Sequence, residues 1–192
     1  MNLVSPKHKP QQGFTLVEAM VVVAVSVILI IALLNLYDGY NRVYNSQQNL
    51  IRVAGSAGAI INDLQIYVSQ ADQVLGSHTF SGTNYSSGTN TLVLEIPTVD
   101  SGGNILTGKF DYAAYYASGT KVYRLLQTDA SSSRASILKQ LSDSASSLSF
   151  AYDNGDFTQV QQVNVNVQTQ IQVKQQAIVS HLTQSLYLRN HK

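Results

Sequence analysis

The densest apolar stretch runs from Phe14 to Leu34, FTLVEAMVVVAVSVILIIALL, 21 residues with one charge, Glu18. As a helix rising about 1.5 Å per residue it is roughly 30 Å long, enough to cross a bilayer. Past Leu34 the apolar residues become periodic. Tyr37, Tyr40, Tyr44, Ile51, Ala54, Gly58, Ile61, Leu64, Val68, Ala71 and Leu75 recur mostly at steps of three or four. Asn41, Arg42, Gln48, Arg52, Asn62, Asp63 and Gln73 fall on the other faces. This is the stripe of an amphipathic helix. The pattern predicts one helix from about Thr15 to about Val74, ended near Gly76. A helix of that length without a partner is unstable, so the stripe must be buried on the domain that follows.

From residue 76 the pattern changes. Residues 76–90, GSHTFSGTNYSSGTN, are turn formers and read as a loop. Thr91–Ile96 is dense in β-formers and is expected to stop at Pro97. Asp100 to Asn104 reads as a hairpin connection. Phe110–Ala117 and Lys121–Gln127 flank a short turn at Ser118-Gly119-Thr120. Residues 131–147 are serine-rich and read as a flexible loop, with a short helix over Arg134–Leu141. Ser147–Tyr152 alternates, and Asp153-Asn154-Gly155-Asp156 is a turn. The clearest strand follows: Val163, Val165, Val167, Thr169, Ile171 and Val173 alternate with Asn164, Asn166, Gln168, Gln170 and Gln172. Ile178–Arg189 reads as a last strand or a strand plus turn. One long helix followed by about six strands on short loops is an α+β chain with a largely antiparallel sheet.

The residues before the apolar run, MNLVSPKHKPQQG, are polar and carry Lys7 and Lys9. Those lysines predict an N-terminus that stays in the cytoplasm, with the rest outside. An ordinary secretory signal ends in a small-residue cleavage site after its apolar core; here the small residue, Gly13, precedes it. A plain anchor explains the length and the lysines but leaves Glu18 as a carboxylate reaching the headgroups. A charge within a membrane helix costs about 2.5–3.5 kcal/mol at its centre and usually marks function.

The stretch K-H-K-P-Q-Q-G-F-T-L-V-E-A-M resembles the class III prepilin signal of type IV pilin-like proteins. That signal has a basic leader, Gly at −1, Phe at +1 and Glu at +5; Gly13, Phe14 and Glu18 fall on those positions. The resemblance implies a leader, residues 1–13, removed by a membrane prepilin peptidase between Gly13 and Phe14, and N-methylation of Phe14, which keeps its charge. It implies that Glu18 pairs with the Phe14 ammonium of a neighbouring subunit, so that a carboxylate costly in hydrocarbon favours one docking register. It implies a pilin fold: residues 14–34 the transmembrane half of the helix, 35–75 its amphipathic half, 76–192 a β-rich domain. The partners implied are other pilins or pseudopilins and an inner-membrane assembly platform. The strand order and the L-R-N ending are similar to PilW-type minor pilins and to pseudopilin J of type II secretion systems. Those subunits sit in a tip or initiation complex. Major pilins often carry a helix-kinking proline where this chain has Asn35, so Gly39, Gly55 and Gly58 become the expected weak points of the helix. PilW-type proteins commonly carry cysteines, and this chain has none.

Composition narrows the alternatives. Charged residues are 12% of the chain, about half the usual share. Removing residues 1–13 takes Lys7 and Lys9 and leaves 10 basic against 11 acidic side chains. There is no basic block to neutralise a phosphate backbone, although Arg124, Arg134 and Lys139 could still form a small patch. The lack of cysteine excludes disulfides and thiolate chemistry. His8, His78, His181 and His191 are not at metal-ligand spacing. Asp153 and Asp156 lack the EF-hand pattern and are better read as turn residues. No nucleotide or hydrolase motif occurs, so neither an enzyme nor a cofactor is expected. Tyr37, Tyr40 and Tyr44 share a helix face, which packing explains as well as electron transfer does. The leading expectation is a minor pilin or pseudopilin. The alternative is a single-pass membrane-anchored surface binding module, an adhesin or DNA-uptake receptor, with no cleavage at Gly13.

Overall fold

The computed structural model describes residues 13–173 and 176–189. Helix α1 spans Leu16–Val68, 53 residues. Ten strands follow: β1 Gln73–Val74, β2 Ser77–Phe80, β3 Thr83–Ser86, β4 Thr91–Val99, β5 Ile105–Ser118, β6 Lys121–Gln127, β7 Ile137–Ser142, β8 Ala145–Tyr152, β9 Gln162–Val173 and β10 Gln176–Tyr187. A single 3-10 turn, Phe157–Gln159, joins β8 to β9. The chain divides into two units, Met1–Asn45 and Ser46–Lys192.

The described part of the first unit is helix with exposed side chains, from Leu16 (77% exposed) to Tyr44 (48%). Tyr40 and Tyr44 stack at 6.2 Å. Packing within this chain therefore does not account for the tyrosine stripe as the sequence suggested: Tyr37 and Tyr40 are 63% and 67% exposed. The hydroxyl of Ser26 donates to the Val22 carbonyl at 2.7 Å, which satisfies it without any partner outside the helix.

The second unit is α+β. Strands β1-β4-β5-β6-β7 form one sheet, β10-β9-β8 a second and β2-β3 a small third, and every pairing is antiparallel. The helix lays Ala57, Ile60, Ile61, Leu64 and Val68 against Leu92, Leu94 and Ile96 of β4, Ala113 and Tyr115 of β5, and Val163, Val165 and Val167 of β9. The covered face is thus offset from the expected stripe: Val53 is fully buried, whereas Ile51 is 72% exposed. A second cluster, Phe80, Val93 and Ala114, packs on the opposite face of the first sheet beneath β2 and β3. This is why β4 is apolar at successive positions: Leu92 and Leu94 face the helix while Val93 faces the hairpin.

Several expectations change. The helix stops at Val68, six residues short of Val74, and β1 takes Gln73 and Val74 into register with Glu95 and Leu94. The Gln73 amide also donates to the Glu95 carboxylate at 2.9 Å. The expected loop 76–90 holds the β2–β3 hairpin, turned by Ser81 and Gly82 at φ 47° and 88°. Both values are positive, as a tight two-residue hairpin turn requires. Strand β4 continues through Pro97. Its odd-numbered carbonyls face β1, since Asp72 and Leu75 donate to Glu95 and Val93. At Pro97, β1 has ended, so the missing N–H costs no ladder bond. The expected helix over Arg134–Leu141 is strand β7, paired with β6. The helix runs unbroken through Gly39, Gly55 and Gly58.

Candidate functional site

The N-terminal end of α1 is built by four residues. Gly13, Phe14, Thr15 and Glu18 line one shallow depression, and Phe14 is 80% exposed. Residues 1–12, with Lys7, His8 and Lys9, lie outside the described residues. The Ala19 N–H donates to the Thr15 carbonyl at 3.2 Å, which makes Thr15 the residue that opens the helix. The Thr15 hydroxyl accepts from the Glu18 N–H at 3.2 Å, and the Glu18 carboxylate accepts from the Thr15 N–H at 3.2 Å. The same carboxylate oxygen, Oε2, accepts from the Thr15 hydroxyl at 3.2 Å.

This is a reciprocal capping box, T-L-V-E, and it satisfies two of the four N–H groups that a helix start leaves open. It also places a carboxylate at the positive end of the helix. Sequence reasoning singled out Glu18 as a charge in an apolar run and missed this local role, although S/T-x-x-E before an apolar run is a readable signal. Among the described residues, these hydrogen bonds to the Glu18 carboxylate all go to Oε2.

The other candidates in the sequence are absorbed by the fold. Arg124, Arg134 and Lys139 do not form a surface patch. Arg124 reaches both Asp63 oxygens at 2.9 Å, and Lys139 reaches Asp63 Oδ2 at 3.1 Å. The Tyr115 hydroxyl donates to Asp63 Oδ1 at 2.9 Å, and the Arg124 guanidinium lies 4.3 Å from the Tyr67 ring centre. Burial, then the Asp63 charge, raises the Tyr115 phenol well above its ordinary value. Asp63, expected on a polar face of the helix, is 8% exposed.

Arg134 pairs with Asp111 at 2.6 Å and donates to the Pro97 carbonyl at 2.9 Å and to Gln70 at 2.8 Å. Asp111 is fully buried and also accepts from Thr98, from the Asp129 N–H and from Ser132. The serine-rich segment is therefore pinned at its start. The Asp153 carboxylate accepts from the Gln161 and Gln162 N–H groups. That of Asp156 accepts from the Thr158 N–H and hydroxyl, which lowers its pKa. Both are turn caps. His78 stacks on Tyr112 at 3.8 Å, and burial lowers its pKa. Among the described residues, no three His, Cys, Asp or Glu side chains converge as a metal site. His191 lies outside the described residues.

The family model of the prokaryotic N-terminal methylation motif matches residues 8–34. No curated protein and no solved structure matches the chain. The matched segment holds Gly13, the capping box and the exposed apolar turns of α1, the one described helix long and apolar enough to cross a membrane. The match supports a type IV pilin-like chain, processed as a pilin or pseudopilin precursor and assembled with other pilins. Chains with this motif are structural subunits rather than enzymes.

Proposed function

We propose that this chain is a minor pilin or pseudopilin, a subunit of a type IV pilus or a type II secretion-like filament of the PilW and pseudopilin J kind, placed in the tip or initiation complex. Residues 1–13 are the leader, and a prepilin peptidase cuts between Gly13 and Phe14 on the cytoplasmic face. Phe14 is then N-methylated and keeps its positive charge. Residues 14–34 hold the precursor in the inner membrane with residues 35–192 outside the cytoplasm. The subunit passes from there to the assembly platform.

The observation that carries this reading is the coincidence of the methylation motif with the capping box. In the unassembled chain the Glu18 carboxylate is engaged by its own helix start, which reduces the cost of an acid in an apolar segment. In the filament the carboxylate takes the Phe14 ammonium of a neighbour, and that pair selects one register.

Glu18→Ala and Glu18→Gln separate the two roles, because glutamine retains the capping geometry and loses the charge. Both variants are expected to be cleaved after Gly13, and neither to enter filaments. Incorporation of Glu18→Gln at the wild-type level would remove the pairing role and leave Glu18 a cap alone. Absence of cleavage in the wild-type chain would favour the anchored binding module.

A further inference from the structure

The outer edge of the second sheet is open. Strand β10 is 12 residues long, roughly 40 Å at about 3.3 Å per residue, and pairs with β9 over its whole length without a bulge. The Leu188 N–H donates to the Gln161 carbonyl, so even-numbered positions bond towards β9. The alternation of an antiparallel ladder then turns the N–H and C=O of Ala177, Val179, His181, Thr183, Ser185 and Tyr187 away from the sheet. Among the described residues, no hydrogen bond reaches these backbone groups.

Folded β-proteins blunt such an edge with lysine, proline, bulges or a covering loop. Residues 176–187 contain no Asp, Glu, Lys, Arg or Pro, and Val179 and Tyr187 stand 41% and 61% exposed. A long, neutral, unprotected edge is a template for another strand.

We infer that β10 is completed in the assembled filament by a strand of a different membrane-anchored subunit, which adds to the sheet by backbone hydrogen bonds. The identity of that occupant follows from direction and size, and it rests on the filament reading given above. Thr169, which pairs with Ser180, donates to the Val53 carbonyl. Gln65 and Ser69 share a groove with Leu186 and Tyr187. Passing from Val53 to Ser69 therefore climbs from Ser180 to Tyr187, and α1 and β10 run the same way.

Antiparallel pairing of β10 with β10 of a second copy, about an axis normal to the sheet, would point the two helices in opposite directions. Two chains anchored in one membrane by the same segment cannot adopt that arrangement. The outer strands of the five-stranded sheet in a second copy are short, six residues in β7 and two in β1, and β7 carries Lys139. An edge of about 40 Å by about 10 Å covers roughly 400 Å² a side, half of the roughly 800 Å² of a stable interface. The contact thus needs a partner already held nearby, as a helix in the same membrane provides.

The test uses the full chain in cells that assemble the filament, with a photo-cross-linking residue at Thr183, at Ser185 or at Val27 in the apolar run. The expected product at Thr183 and Ser185 joins this chain to a different pilin-like chain, identified by mass. Thr183→Pro removes only an outward N–H and leaves the β9 ladder intact. It is expected to lower the Ser185 product about tenfold while the Val27 product persists, as losing a bond at a small contact should. A product with a second copy alone overturns the inference. So does a Val27 product with none at Thr183 or Ser185, which leaves the filament reading standing. Absence of products at all three positions overturns both.

Discussion

Asp63 holds the helix of the second unit to the first sheet through charge, and its removal should be costly in a way that sequence position does not suggest. Its side chain is 8% exposed and takes Arg124, itself 6% exposed, through both oxygens at 2.9 Å. Asp63→Ala leaves that guanidinium buried without a counter-charge, with its Nε already lacking a partner. Breaking one side of a buried pair costs about 3–5 kcal/mol. That is a large fraction of the roughly 5–15 kcal/mol that holds a domain folded. Lys139 also touches Asp63, at 3.1 Å, but its side chain is 51% exposed. Screening limits Lys139→Ala to roughly 0–1 kcal/mol. If the loss arises from the stranded charge, Asp63→Leu combined with Arg124→Met should cost less than Asp63→Ala alone, a non-additivity that a double-mutant cycle measures. The assay is urea unfolding of the full chain in detergent micelles, followed by the near-ultraviolet circular dichroism of tyrosine, since the chain has no tryptophan. A loss below about 1 kcal/mol for Asp63→Ala, or a double variant no better than the single one, would refute the argument.

Two further predictions test other parts of the account. Burial pushes the Tyr152 phenol up to about 12, while its hydroxyl donates to the Gly88 and Thr91 carbonyls at 3.1 Å. Tyr115 is raised as well. A raised folded pKa means that this stability is complete below about pH 10 and is lost as pH climbs through the folded value. Unfolding free energy should therefore hold to about pH 10 and fall between about 10 and 12, less steeply in Tyr152→Phe. An unchanged slope in that variant would assign the fall to other groups. Gly55 is exposed within the helix and no atom lies within 4 Å of the position a Cβ would take. Gly55→Ala is expected to raise stability by about 0.5–1 kcal/mol in the same urea assay, and a loss would place a required contact or bend at that residue.

The legible parts of the fold were those with one dominant period. Val163, Val165 and Val167 are fully buried and alternate with partly exposed Asn and Gln, so β9 could be read from two-residue periodicity alone. The apolar run and the Gly13-Phe14-Glu18 spacing were legible because both are local in sequence. What failed depended on distant partners. Ile137 and Leu138 are exposed at the edge, 50% and 54%, so β7 shows no alternation; its state is set by pairing with β6 and by the reach of Lys139 to Asp63. Asp63 looked solvent-facing because its counter-ions come from residues 124 and 139. The β2–β3 hairpin looked like a loop because Ser77, Thr79, Thr83 and Asn84 are exposed and only Phe80 is fully covered.

The central claim is that residues 8–34 are a processing and assembly signal. The most direct test is the intact mass of the membrane-bound product after co-expression with a prepilin peptidase. The account predicts loss of residues 1–13 and the gain of one methyl group on Phe14. A chain that remains uncut, or is cut elsewhere, would contradict it and leave Gly13, Phe14 and Glu18 as parts of an ordinary anchor.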